Sequence, residues 1–257
     1  MLEFLFAVSL AWVNIAANDL EQWTLIPQSQ WLPFANGVSL AYVFLEILPE
    51  LGSGQRRLEY DAWPVISYSD WQVYLPMLLS VTIFYGMEAL ALRSPKSPTS
   101  KGLAPSKNNV GERGSLLSPI FWLHILLFTL YNGILGYLLQ AVSVSQGFLD
   151  CLLFWVVLAL HLLLNDAGLS NHYQTAYHQW GRWMVALAVV VGTLVGNAVG
   201  EFALGELSAP TVLWAFAAGG ILFSGLTATV HYGNHSFWAF LTGVAIYTTL
   251  LLLVATP

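Results

Sequence analysis

The sequence predicts an all-α polytopic membrane protein, a bundle of eight helices of which seven or eight span the bilayer. Hydrophobic residues make up 57% of the 257 residues and charged residues only 9%, whereas a soluble domain carries about 25% charged residues on average. The mean hydropathy is +0.66. In addition, seven stretches approach the roughly 20 apolar residues that a helix needs to cross the hydrocarbon core.

The seven stretches follow one another along the whole chain. They cover residues 31–50, 71–92, 120–140, 148–165, 183–203, 211–230 and 237–255. An eighth stretch, 4–17, is short and interrupted by Asn14. It could span a thinned bilayer, lie at the interface, or serve as a signal peptide, although Glu3 stands where a signal peptide has basic residues.

Residues 93–118 form the largest polar segment and contain five of the eight basic residues but one acid, Glu112. Three prolines lie among them, which is typical of a disordered loop. The positive-inside rule places this loop in the cytoplasm. If all eight stretches span, both termini and the connection 51–70 lie outside, and the connection 166–182 lies inside. No loop is long enough for a soluble domain, so 1–257 is expected to form a single integral membrane domain.

Composition also excludes several classes of function. The single cysteine, Cys151, rules out an internal disulfide framework and a cysteine-based metal centre within one chain. The net charge of -6 provides no basic surface for phosphate contacts, so nucleic acid is not expected as a partner. Small residues at every fourth position, Gly192, Gly196 and Gly200, predict a close helix contact of a kind common to membrane proteins of every function.

Ionisable and amide side chains inside the predicted spans are the candidates for a functional site, because a charge in the membrane is costly. His161 and Asn165 are four residues apart and share a helix face with Asp166 beside them. Imidazole and carboxylate are good ligands for first-row metals, so these residues could supply part of a divalent-cation site. The alternative is that they only form hydrogen bonds to a neighbouring helix.

Two further sets of residues could contribute to metal binding. Asn132 on the preceding span offers another amide oxygen, and Glu46 with Glu50 forms a second pair four residues apart. His231 and His235 have the same spacing, which raises the hypothesis of a membrane-embedded zinc hydrolase. That pair lies in a turn-like segment without a third ligand, so a solvated loop is favoured and no enzyme activity is predicted.

The order of these segments resembles the ZIP (ZRT/IRT-like) metal transporters, in particular a divergent bacterial branch. Residues 37–41 (GVSLA) and 46–50 (EILPE) are similar to the family's glycine-led helix ending in H-x-L-P-E, with Glu46 in place of His. Residues 161–168 (HLLLNDAG) are similar to H-E-x-P-H-E-x-G. Residues 128–133 (FTLYNG) correspond to H-N-x-x-D-G, with an amide in place of the carboxylate.

The resemblance implies an eight-span bundle in a bacterial inner membrane that transports a divalent cation such as zinc, iron or manganese. Its metal ligands would come from His161, Asp166, Asn165, Asn132, Glu46 and Glu50. A second hypothesis is that the chain kept the fold and lost transport, acting as a structural or accessory subunit. The expected partners are the lipid bilayer and the metal ion, with a homodimer or a membrane complex as open alternatives.

Overall fold

The computed structural model describes most of the chain as helices. The described residues are 2–23, 28–58, 71, 73–93, 118–145, 147–173, 176–203, 208–231 and 237–255. Residues 94–117 of the predicted loop 93–118 therefore lie outside the described residues, as does His235. His231 ends a helix, but its side chain is not described.

The described residues form eight helices in the predicted order, which confirms the all-α class. The helices are α1 (Leu2–Trp23), α2 (Gln28–Tyr42, a π-helical turn Val43–Ile47, then Leu48–Leu58), α3 (Tyr74–Arg93), α4 (Pro119–Ser145), α5 (Phe148–Tyr173), α6 (a π-helical turn Tyr177–Gly181, then Arg182–Ala203), α7 (Ser208–His231) and α8 (Phe237–Ala255).

Six of these helices are long and apolar enough to cross a membrane, which identifies an integral membrane protein. Two helices contain shorter apolar stretches, Glu3–Ala17 in α1 and Thr211–Thr227 in α7. The sequence predicted a short stretch in α1 but a full span, residues 211–230, in α7. Helices α3 and α8 bury little of their surface and expose leucines such as Leu78 and Leu253, so they lie at the periphery of the bundle.

The connection predicted at residues 166–182 is much shorter in the structure. Helix α5 continues to Tyr173, and the π-helical turn of α6 begins at Tyr177. Asp166 and Arg182 are both buried within helices and do not lie in a cytoplasmic loop. The prediction ended both spans at these residues because single charges are costly in a membrane. Pairing of the two charges removes much of that cost.

Close helix contacts at glycine hold the bundle together. A Cβ atom at Gly192 of α6 would overlap the backbone of Gly133 in α4, and one at Gly136 would overlap the backbone of Val189. Gly196 lies farther along the same contact, against Gln140. The predicted close packing at Gly192 and Gly196 is therefore present, and it fixes α4, which carries Asn132, against α6.

Candidate functional site

His161 lies at the middle of α5 with none of its surface exposed, at the centre of a buried polar network. Its Nε2 atom is 3.1 Å from the Tyr131 hydroxyl of α4 and 3.1 Å from the Asn165 amide nitrogen. The Tyr131 hydroxyl also donates to the carbonyl oxygen of Ala217 in α7 at 3.1 Å. Three helices thus meet at one imidazole.

Two contacts at Nε2 favour opposite tautomers of the His161 ring. Ser224 of α7 donates to the Asn165 side-chain oxygen at 2.9 Å, so the amide nitrogen is the atom that faces His161 and favours an accepting Nε2. The Tyr131 hydroxyl, whose proton goes to Ala217, would instead accept from a protonated Nε2. Nδ1 has no hydrogen-bond partner among the described residues. In either tautomer, Nε2 is occupied by its contacts to Asn165 and Tyr131.

Asp166 takes part in a buried ion pair with Arg182. The guanidinium donates from Nε to Oδ1 at 3.0 Å and from a terminal nitrogen to Oδ2 at 2.9 Å. The Tyr177 hydroxyl adds a third hydrogen bond to Oδ1 at 2.7 Å, and the Arg182 guanidinium lies 5.5 Å from the centre of the same tyrosine ring. Both carboxylate oxygens are therefore held by side chains of α6, with the negative charge balanced by a fixed cation.

Asn132 is fully buried in α4 and keeps one side-chain atom without a partner. Its amide nitrogen donates to the carbonyl oxygen of Val185 in α6 at 3.2 Å. Its Oδ1 atom accepts no hydrogen bond within the part of the chain that the structure describes. Most buried polar side-chain atoms in proteins have a partner. This oxygen is therefore a predicted ligand atom that stays available within the bundle.

Glu46 and Glu50 are not part of the His161 network. Glu46 lies in the π-helical turn of α2 and accepts a hydrogen bond from the Tyr247 hydroxyl of α8. Glu50, one turn later, is exposed. Among the described residues, no group of three histidine, cysteine, aspartate or glutamate side chains is arranged to hold a metal ion.

A second polar cluster lies where α3, α4 and α5 meet near the ends that flank residues 94–117. His172 of α5 is 2.9 Å from the Glu88 carboxylate of α3, and His124 Nδ1 of α4 is 2.8 Å from the Tyr173 hydroxyl. Glu88 and His124 were among the ionisable residues noted inside the predicted spans. Here they link neighbouring helices in pairs.

Sequence reasoning missed the partners of the predicted residues. These partners are Tyr131, Tyr177, Arg182, Ser224 and Tyr247. A signal was present for Arg182, because it is the one lysine or arginine between position 114 and the C-terminus. It directly precedes the predicted span 183–203, and Asp166 directly follows the span before it, 148–165. The hydroxyl partners carry no comparable sequence signal.

Comparisons with known proteins do not identify a relative. No family model, no curated protein and no solved structure matches this chain.

Proposed function

We propose that this chain is a ZIP-like integral membrane protein in which an internal ion pair takes the place of a transported cation, and that it acts as a structural or accessory membrane subunit. The order of the eight helices, together with the motifs at 37–50 and 161–168, supports the ZIP-like part of the proposal. The Asp166–Arg182 ion pair supports the loss of transport.

Asp166 is the strongest predicted metal ligand in the bundle core, and Arg182 occupies both of its oxygens. Both side chains are less than one-tenth exposed. A divalent cation at Asp166 would have to displace a guanidinium held at two points, and the two positive charges would repel each other in a medium of low dielectric. The ion pair is therefore neutral, and the guanidinium occupies the place that a metal ion would take.

The other predicted ligands favour the same conclusion. His161 Nε2 contacts Asn165 and the Tyr131 hydroxyl, and the Asn165 oxygen accepts from Ser224. Because the Tyr131–His161 and Ser224–Asn165 contacts join neighbouring helices, the network acts as polar glue in the bundle. An accessory role implies a protein partner in the membrane or a second copy of the chain.

Divalent-metal transport remains the second candidate, favoured by one specific observation. Asn132 Oδ1 and His161 Nδ1 are both buried without a hydrogen-bond partner in the described part of the chain. Unpaired buried polar atoms can mark the place of a water or an ion. Under this alternative, zinc, iron or manganese would be the cargo.

The location follows from the same reasoning as the fold. We place the protein in the inner membrane of a bacterium with residues 94–117 on the cytoplasmic side, on the basis of the ZIP-like resemblance and the basic character of that segment.

Elemental analysis of the full chain, purified without chelator, tests the proposal directly. We expect no stoichiometric zinc, iron or manganese in the wild type, and no change in His161→Ala or Asp166→Ala. Arg182→Gln, which removes the internal cation but keeps hydrogen-bond donors, should acquire metal on soaking. The double variant Arg182→Gln/Asp166→Asn should not, because it lacks the freed carboxylate.

Stoichiometric metal in the wild type that is lost in both single alanine variants would overturn the proposal in favour of transport. Metal uptake into vesicles that depends on His161 would do the same. Asp150→Asn is the matched control, since Asp150 is an exposed carboxyl of α5 outside the predicted ligand set. Isolation in mild detergent as a stable complex with a fixed partner would support the accessory role, whereas a monodisperse protein that binds metal tightly would contradict it.

A further inference from the structure

Glu46, like Asp166, is a carboxylic acid within the described spans that is hydrogen-bonded to a neighbouring helix. Its surroundings differ from those of Asp166. Glu46 lies within the span Gln30–Gly54, eight residues before the end of that span. Its contact is the Tyr247 hydroxyl, near the middle of the span Phe237–Val254. Tyr247 is buried, while Glu46 is partly exposed.

No cation balances Glu46 among the described residues, in contrast to the guanidinium that holds Asp166. Three ionisable groups interact with Glu46 electrostatically or by hydrogen bonding. Tyr247 comes from α8, Tyr42 lies one turn earlier on α2, and Asp150 lies in the first turn of α5. Helix α7 also packs against this turn, and its described side chains, residues 211–227, include no ionisable group.

An ionised carboxylate in this position would lie in the membrane with one neutral hydroxyl as its partner and another acid nearby. Such a charge is costly, and an acid without a counter-ion avoids the cost by holding a proton. The neutral acid can still accept the Tyr247 hydrogen bond through its carbonyl oxygen. The π-helical geometry of residues 43–47 is of a kind often found at functional sites.

We propose that Glu46 and Tyr247 form a proton-binding site within the membrane, separate from the Asp166–Arg182 pair. The ligand is a single proton on the Glu46 carboxyl group, and the Tyr247 hydroxyl holds that group between α2 and α8. The neighbouring side chains Phe44 and Leu45 are exposed on the outer surface of the bundle, so the site borders the lipid and does not lie in the central network.

Infrared difference spectroscopy of the full chain in phosphatidylcholine vesicles tests this site. The wild-type spectrum minus that of Glu46→Gln should show a carboxylic-acid C=O band at neutral pH. This band should give way to carboxylate bands as the pH is raised. Tyr247→Phe should keep the acid band and shift it to higher frequency, because the carbonyl loses its hydrogen bond. An ionised Glu46 that only joins the two helices has no acid band to shift.

Glu50→Gln is the matched control, because it removes an exposed carboxyl from the same helix, and it should leave the acid band unchanged. Carboxylate bands at neutral pH in the wild-type minus Glu46→Gln spectrum would overturn the proposal, and so would a band that does not respond to Tyr247→Phe. The metal measurements do not enter this test, so either proposal can fail while the other stands.

Discussion

At the scale of single residues, Asp166 and Glu46 show how the partners of a carboxyl group within the spans decide its state. Asp166 has a guanidinium on both oxygens, whereas Glu46 has one hydroxyl. Both residues are acids within apolar stretches, so the sequence around them does not show which one has a cation as its partner. Removal of one member of a buried pair leaves the other charge without compensation, and this penalty exceeds the net stabilisation that the intact pair provides.

This imbalance gives a prediction for Asp166 and Arg182. Asp166→Ala should destabilise the protein by about 3–5 kcal/mol, because Arg182 would stay buried and unpaired. The double variant Asp166→Asn/Arg182→Gln should be more stable than Asp166→Ala, since no net charge is left buried. Thermal unfolding in detergent measures both effects. Equal loss in the single and double variants would show that packing, and not charge pairing, holds this part of the bundle.

At the scale of helices, two π-helical turns carry some of the polar contacts that join neighbouring helices. The turn Val43–Ile47 holds Glu46, and the turn Tyr177–Gly181 begins with the tyrosine that binds Asp166. A π-helical turn shifts the direction of the side chains that follow it. The regular 3.6-residue spacing used to place residues on helix faces therefore does not apply across these turns.

Glycine contacts between helices provide the second prediction at this scale. Gly192→Ala should destabilise the protein by about 1–3 kcal/mol, because its Cβ atom would overlap the Gly133 backbone. Gly86→Ala is the matched substitution in α3, where a Cβ atom meets nothing within 4 Å. It should be neutral, or stabilising by up to about 1 kcal/mol from helix propensity. Equal unfolding temperatures for the two variants would contradict the close α4–α6 contact.

At the scale of the whole molecule, the arrangement of the helices across the membrane follows from charge and hydropathy. Six helices are long and apolar enough to span, and α1 and α7 contribute shorter apolar stretches. If all eight cross, the connections alternate between the two sides, and the positive-inside rule predicts that the basic segment 94–117 faces the cytoplasm. The single cysteine, Cys151, is buried, which leaves the chain well suited to accessibility labelling.

Labelling with a membrane-impermeant maleimide tests this topology. In a Cys151→Ser background, Ser106→Cys should react in inverted vesicles and not in intact cells. Ser67→Cys, in the connection predicted to lie outside, should show the opposite pattern. Labelling of both positions from the same side would mean that α3 does not cross the membrane. Reversal of both patterns would invert the assignment of the cytoplasmic face.

The sequence determined the helices well and the site only in part. The apolar stretches predicted eight helices in the correct order, because in a membrane each helix must satisfy its own backbone hydrogen bonds and therefore leaves a long apolar signal. The same reasoning placed His161 and Asn165 on one face, and they are bonded to each other. The end of α5 was predicted too early, since Asp166 looked like the end of a span.

The sequence alone therefore determined the class of protein, the order of its helices and the short list of polar residues within them, because these follow from local hydropathy and spacing. Only the tertiary structure decided what those residues contact. Arg182 meets Asp166 across two helices, Ser224 orients Asn165, and Tyr247 reaches Glu46 from the far end of the chain. Hydrogen bonds between helices depend on how helices pack, and the local sequence pattern indicated close packing only at the glycines of α6.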